Sequence, residues 1–145
     1  MDIIDIAFNR LIGLQREPAG GDFTVSLPAG SQYHNHLGIV HAAALFAVAE
    51  AASGDFMLTH FGGRAAEFIA VVRRVEMKYR KPAHGKILGR ATADEAARHE
   101  LAAGLATKRM LAFTLHAEVS DESGAPNLTA EIEWFITRRE PEIRA

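Results

Sequence analysis

Apolar positions along the chain follow a helical spacing first, then alternate, then fill one stretch almost completely, and finally alternate again to the end. Ile3, Ile4, Ala7, Leu11 and Leu14 lie on one stripe of a helix predicted over residues 2–14. Glu17-Pro18-Ala19-Gly20-Gly21 reads as a turn. Phe23, Val25 and Leu27 alternate with Thr24 and Ser26, which predicts a half-buried strand within 22–28 that stops at Pro28. A polar loop from Gly30 to Gly38 follows. From Ala42 to Ala52 the one charged residue is Glu50, and the others are Ala, Leu, Phe or Val. Alanine and leucine are strong helix formers, and a helix apolar nearly all round is buried on several sides. A central helix over about 41–61, ending near Gly62-Gly63, is the expected result.

From Glu67 the period returns to two. Ile69, Val71, Val75, Met77 and Tyr79 alternate with polar positions, and the Val72-Arg73-Arg74 step suggests a bulge. After a turn at Pro82–Gly85, Ile87, Gly89, Ala91 and Ala93 begin another strand. Asp94 is placed to cap a short helix from Glu95 to about Leu105. Two further strands, carrying Leu111 to Val119 and Leu128 to Ile136, flank a hairpin-type turn at Asp121-Glu122-Ser123-Gly124. The strands thus fall within 22–28 and 67–137, and the charged tail from Arg138 to Ala145 is expected to fray. One apolar helix and one antiparallel sheet to bury it imply a single two-layer α+β domain over 1–145, the sheet curled around the helix.

Composition narrows the partners more than the fold. At 145 residues, with 48% hydrophobic and 23% charged residues, the chain suits one soluble domain. A net charge of −2 provides no general attraction to nucleic acid or anionic membranes. No apolar run reaches the ~18 residues of a membrane span, and the acidic start MDIIDIAFNRL does not look like an export signal. Zero cysteines exclude disulfides, thiolate metal sites and a Cys nucleophile. A cytoplasmic location fits.

Candidate chemistry gathers around the central helix. Glu50 is a lone carboxylate in an apolar rod, which is costly without a partner or a role; it sits either at a wet edge or ion pair, or in a site. Asn35, Gly38 and His41 precede the helix, the asparagine six residues before the histidine and the histidine nine before Glu50. With the Tyr79-Arg80-Lys81-Pro82-Ala83 run, these residues resemble hotdog-fold acyl-CoA thioesterases, most closely the phenylacetyl-CoA-thioesterase-like branch. The resemblance spans Phe23 to Ile136 in the same order of elements. It departs from the branch in three places: His-Gly-Gly is here His41-Ala42-Ala43, an apolar residue near Val71 or Val72 replaces a common serine, and the 94–105 insertion is longer than a turn.

The resemblance implies a hotdog fold, a curved antiparallel sheet wrapped around a long central helix. It also implies hydrolysis of an acyl-CoA thioester without metal or organic cofactor, coenzyme A arriving as part of the substrate. The Ala42 N–H at the helix start and the Asn35 amide would meet the thioester, with His41 orienting the loop and Glu50 as base or nucleophile. Nine residues on a helix rise ~13 Å and turn to the opposite face, so His41 and Glu50 of one chain cannot converge on one atom. The expectation is a homodimer, possibly a tetramer, with each site taking Asn35, His41 and Ala42 from one chain and Glu50 from the other.

Between Arg73 and Arg90 there are seven Lys or Arg and one acid, Glu76. Arg73, Arg80 and Lys81 are the candidates for holding the phosphates of coenzyme A, against the alternative of a solvated strand face. His34-Asn35-His36 lacks the surroundings of a nuclease motif, and a zinc site from His34, His36, His41 and Glu50 has no supporting spacing. Met57, Met77 and Met110 read as core filler. Other functions in play are a non-catalytic acyl-CoA or lipid binder, and a hydratase or dehydratase of the same fold, although the His-Phe-Pro-Gly entry of the latter is missing.

Overall fold

The first fourteen residues do not form the single helix expected over 2–14. In the computed structural model, which describes residues 1–140, they form a 3-10 turn at Ile3–Asp5 and a short helix α1 at Ala7–Leu11. The Ile3 carbonyl, which a continuing helix would use, accepts a hydrogen bond from Asn9 Nδ2 at 2.9 Å. Ile6 between the two pieces is extended. Ile3 and Leu14 are buried, but Leu11 is 81% exposed, so the expected stripe is broken. Long-range partners override a locally plausible helix here.

The chain continues through β1 (Gln15–Arg16), β2 (Val25–Leu27), a 3-10 turn at Ser31–Tyr33 and the central helix α2 (Ala42–Phe61). A 3-10 stretch at Gly62–Glu67 leads to β3 (Phe68–Tyr79), β4 (Ile87–Thr92), helix α3 (Glu95–Thr107), β5 (Met110–Asp121) and β6 (Pro126–Arg138). Among the described residues the strands make one antiparallel sheet in the order β1-β2-β4-β5-β6-β3, curved around α2 as in the hotdog fold. The two-residue β1 had no period-two signal. Arg73 is the extra residue where the β3–β6 register shifts between Val72 and Arg74, the bulge expected from the sequence.

Helix α2 is long and apolar enough to cross a membrane by composition, but β2, β4, β5 and β6 pack on it and its Leu45, Val48, Ala49, Ala51, Ala52 and Met57 are buried. Each buried Leu, Val or Met contributes roughly 1.5–3 kcal/mol. Alanine brings helix and sheet close together. A Cβ at Gly89 of β4 would fall 2.5 Å from Val48 Cγ1 and 3.1 Å from the Val48 carbonyl oxygen, so this crossing needs glycine. Met57 is core, whereas Met77 and Met110, expected there as well, are exposed. Fraying does not begin at Arg138: its amide donates to Arg109 O, and the Arg139 amide to Glu67 O at 2.7 Å. The rest of the expected frayed tail, residues 141–145, lies outside the described residues.

Candidate functional site

The loop before α2 is folded by its own asparagine. Asn35 Oδ1 accepts from the Leu37 amide at 2.9 Å and more weakly from the Ile39 amide at 3.4 Å. The Gly38 amide donates to Asn35 O, and Gly38 takes φ +74°, where only glycine is free of strain. With Oδ1 so occupied, the Nδ2 amide group is oriented as a donor with no protein partner among the described residues. His34 bridges Val40, the His41 amide donates to Tyr33 O at 2.7 Å, and the Val40 amide donates to Ala83 O. These bonds fix where α2 starts.

At that start His41 is the N-cap. Its Nδ1 accepts from the Ala43 amide at 3.0 Å, while Ala44 and Leu45 donate to its carbonyl. The Ala42 amide has no hydrogen-bond partner among the described residues and is a free donor in the positive end of the helix. Asn35, Ala42, Leu45, Tyr79, Arg80 and Lys81 line one cleft of about 330 Å³. Tyr79 Oη, at the end of β3, donates to the Ala42 carbonyl at 3.3 Å. His41 is not among the residues that line this cleft; it lines a separate hollow with Tyr33, Ala44 and Ala47.

Of the basic candidates, Arg80 and Lys81 reach the cleft and Arg73 does not. Arg73 Nε donates to Glu133 at 2.9 Å, with its guanidinium 5.7 Å over the Phe135 ring. Among the described residues the Arg80 guanidinium donates only to Thr129 Oγ1, at 3.1 and 3.2 Å. Lys81 Nζ donates to Ser123 Oγ at 2.7 Å, at the rim of the turn network of Asp121 and buried Asn127. Burial alone would raise the Asp121 carboxyl, but bonds from Ser123, the His84 amide and Asn127 hold it below its ordinary value. Lys86 pairs with Glu17 and Arg90 with Glu118, both in contact distance of an ion pair, so much of the basic concentration is neutralised locally.

Glu50 lies two turns farther along α2, on the wall of a different cavity. This cavity measures about 460 Å³ and runs between α2, the first half of β3 and the N-terminal segment. Met57, Phe61, Phe68 and Trp134 make its walls apolar. Trp134 Nε1 donates to Ser53 Oγ at 3.1 Å, and that hydroxyl donates to the Glu50 carbonyl at 2.7 Å, which holds the indole against this turn of the helix. The Glu50 carboxyl has no ion-pair or hydrogen-bond partner among the described residues. Burial alone pushes its pKa above the ordinary glutamate value. That is the setting of a general base or of a costly mistake, and not of a structural ion pair. Phe46 and the 94–105 insertion line neither cavity. The walls contributed by Met1, Ile3, Ile6 and Trp134 were missed, since no period in the sequence places the N-terminal segment beside α2.

Within one chain, then, Asn35, Ala42, Arg80 and Lys81 come together, and Glu50 is apart from them. Three comparisons bear on this arrangement. PA5026 from Pseudomonas aeruginosa, a probable thioesterase of unknown function, is 26% identical with a TM-score of 0.78, over 94% of this chain and 91% of that one. The thioesterase HI1161 from Haemophilus influenzae is 12% identical with a TM-score of 0.70, over 98% and 90%. BH2602 from Bacillus halodurans, solved with CoA, is 17% identical with a TM-score of 0.65, over 89% and 74%. These likenesses show the hotdog thioesterase fold. No curated protein matches the chain. The pattern of one sequence family, the domain of unknown function DUF4442, matches residues 16–136, from β1 into β6, and the chain belongs to that family.

Proposed function

We propose that the protein is a cytoplasmic acyl-CoA thioesterase whose site is completed by a second copy of the chain. One observation carries this reading: the two halves of the site sit at opposite ends of one free strand edge. Among the described residues β3 is the last strand of the sheet, paired only with β6, and its Ile69 and Val71 are 43% and 51% exposed. Tyr79 at its end touches Ala42, whereas Ile69–Val72 near its start line the Glu50 cavity. Two such edges paired antiparallel about a twofold axis bring the start of each β3 beside the end of the other. Glu50 of each chain then meets the Asn35–Ala42 cleft of its partner.

In that assembly the substrate carbonyl oxygen is held by the Ala42 N–H and the Asn35 Nδ2 amide, donors without protein partners among the described residues. The partner's Glu50 takes a proton from water, whose oxygen attacks the thioester carbon. The C–S bond breaks, and the departing thiolate of coenzyme A takes the proton back from Glu50. Arg80 and Lys81 at the cleft rim are placed to hold phosphate. The CoA bound to BH2602 and the thioesterase names of PA5026 and HI1161 support the substrate class. The test is thiol release from a panel of acyl-CoAs by the wild type and Glu50→Gln. At least one substrate is expected to be hydrolysed, with kcat lowered 100-fold or more by the substitution. Wild-type release equal to that of Glu50→Gln on every substrate would refute the reading.

A further inference from the structure

One wall of the Asn35–Ala42 cleft is a turn, and a buried residue of β6 holds that turn. Val119 of β5 faces Leu128 of β6, but Ser120 faces Pro126, so Asn127 is an extra residue in β6. Such a bulge leaves one residue out of the ladder and re-aims its side chain. Asn127 has no exposed surface, and its polar groups are spent on two stretches of chain. Its Oδ1 accepts from the Asp121 amide at 2.7 Å. Its Nδ2 donates to Pro82 O at 2.7 Å and to Asp121 Oδ2 at 3.3 Å. Its own carbonyl accepts from the Arg80 amide at 2.7 Å.

The run from Arg80 to Pro82 is thus gripped at both ends by one residue, in a stretch that lies between β3 and β4. Arg80 and Lys81 of this run line the cleft together with Asn35 and Ala42. The next residue, Ala83, is buried, and its carbonyl accepts from the Val40 amide at 3.0 Å. Val40 stands two residues before Ala42, so the loop and helix start that carry the donors rest against the same turn. Asp121 completes the anchor. Its Oδ2 accepts from the His84 amide at 3.2 Å and its Oδ1 from the Ser123 amide at 3.0 Å.

Resting on the thioesterase function proposed above, we infer that Asn127 is a positioning residue of the site: through its bonds to Arg80 N and Pro82 O it sets the separation between the basic rim, Arg80 and Lys81, and the donors at Asn35 and Ala42. Asn127 touches neither the substrate nor the reacting atoms. A CoA thioester bound here is held at two places, its phosphates at the rim and its carbonyl at the donors, so the spacing decides whether one molecule meets both. The chemistry of the position calls for an amide. Aspartate has no N–H to give Pro82 O and would set a second carboxylate against Asp121. Serine has one short hydroxyl, which cannot serve the Asp121 amide and Pro82 O together.

Two measurements on the intact protein test this, and the first needs no activity. In Asn127→Ser, amide hydrogen exchange at Val40 is expected to quicken about tenfold beyond any change shared by the core amides of α2, because Ala83 O is no longer held beneath it. The second is calorimetric binding of coenzyme A. Asn127→Ser is expected to weaken it about tenfold, the scale of one well-made hydrogen bond. In a chain already carrying Arg80→Ala and Lys81→Ala, the same substitution is expected to cost less than about twofold, because no rim is left to misplace. A residue serving stability alone would lower the unfolding free energy and leave both readings where they were. Unchanged Val40 exchange, or an equal loss of coenzyme A affinity in the two backgrounds, would overturn the inference. Should Asn127→Ser fail to fold, Asp121→Asn takes its place, since one amide oxygen cannot accept the bonds from Ser123, His84 and Asn127 that the carboxylate accepts. Faster Val40 exchange and weaker coenzyme A binding are expected there too, and no change in either would overturn the inference. Faster Val40 exchange in a protein that binds no coenzyme A would keep the positioning and remove the thioesterase reading. Coenzyme A turnover with Val40 exchange untouched would do the reverse.

Discussion

Glu50 carries two physical burdens at once. It is a carboxylate pushed into apolar surroundings with nothing among the described residues to neutralise it, and its pKa is raised above the ordinary 4.5 by that burial alone. The folded chain therefore holds the Glu50 proton more tightly than the unfolded chain does. This favours folding below about pH 4.5, and the advantage is lost as pH rises through the folded value. At neutral pH the ionised side chain is a net cost, which Glu50→Gln removes. The variant is expected to melt about 2–4 °C higher than the wild type, the size of shift ~1 kcal/mol gives a domain of this length, while losing turnover. In the wild type the acid limb of kcat/KM is expected to titrate above 4.5, because only the ionised form can accept a proton from water. A melting point lowered by the substitution would mean that Glu50 has a stabilising partner.

At the scale of elements, the start of α2 shows how much was legible beforehand and how much was not. The Ala-rich run, the lone acid and the Asn35–Gly38–His41 spacing mark the helix and the loop that feeds it, since propensity and turn chemistry are local. The spacing suggested that His41 orders the loop, but not how: its Nδ1 accepts from Ala43 N as the N-cap of α2. An N-cap side chain is worth about 0.5–2 kcal/mol. His41→Ala is expected to lose about that much in denaturant unfolding, and His41→Asn to recover most of it, with KM little changed in His41→Asn. A large loss of kcat in a fully stable His41→Asn variant would restore a chemical role to the ring. The β3 bulge was legible because Val72-Arg73-Arg74 interrupts the alternation. The N-terminal segment was not, because its conformation depends on Asn9, Arg16 and Asp55, whose meeting is purely tertiary. The same holds for Arg73, a plausible phosphate ligand by charge that is instead occupied by Glu133.

For the whole molecule, the strand edge is the feature that one chain leaves unfinished. A twelve-residue outer strand with apolar side chains exposed invites pairing, and proteins usually blunt such an edge or cover it. Paired with its own copy, β3 buries that surface and sets the two Glu50 side chains against the two Asn35 clefts. Val71→Lys places a charge in the middle of the shared region and is expected to shift sedimentation equilibrium toward monomer and to abolish turnover together with dimerisation. A monomeric Val71→Lys protein with full activity would show that one chain suffices. The most direct measurement is complementation between two inactive variants. Asn35→Ala and Glu50→Gln chains are each expected to be inactive as homodimers; mixed, unfolded and refolded together, they form heterodimers in which one site keeps both Asn35 and Glu50. Thiol release is expected to return to about a quarter of the wild-type rate in an equal mixture. A mixture no more active than either variant alone would contradict a site built from two chains.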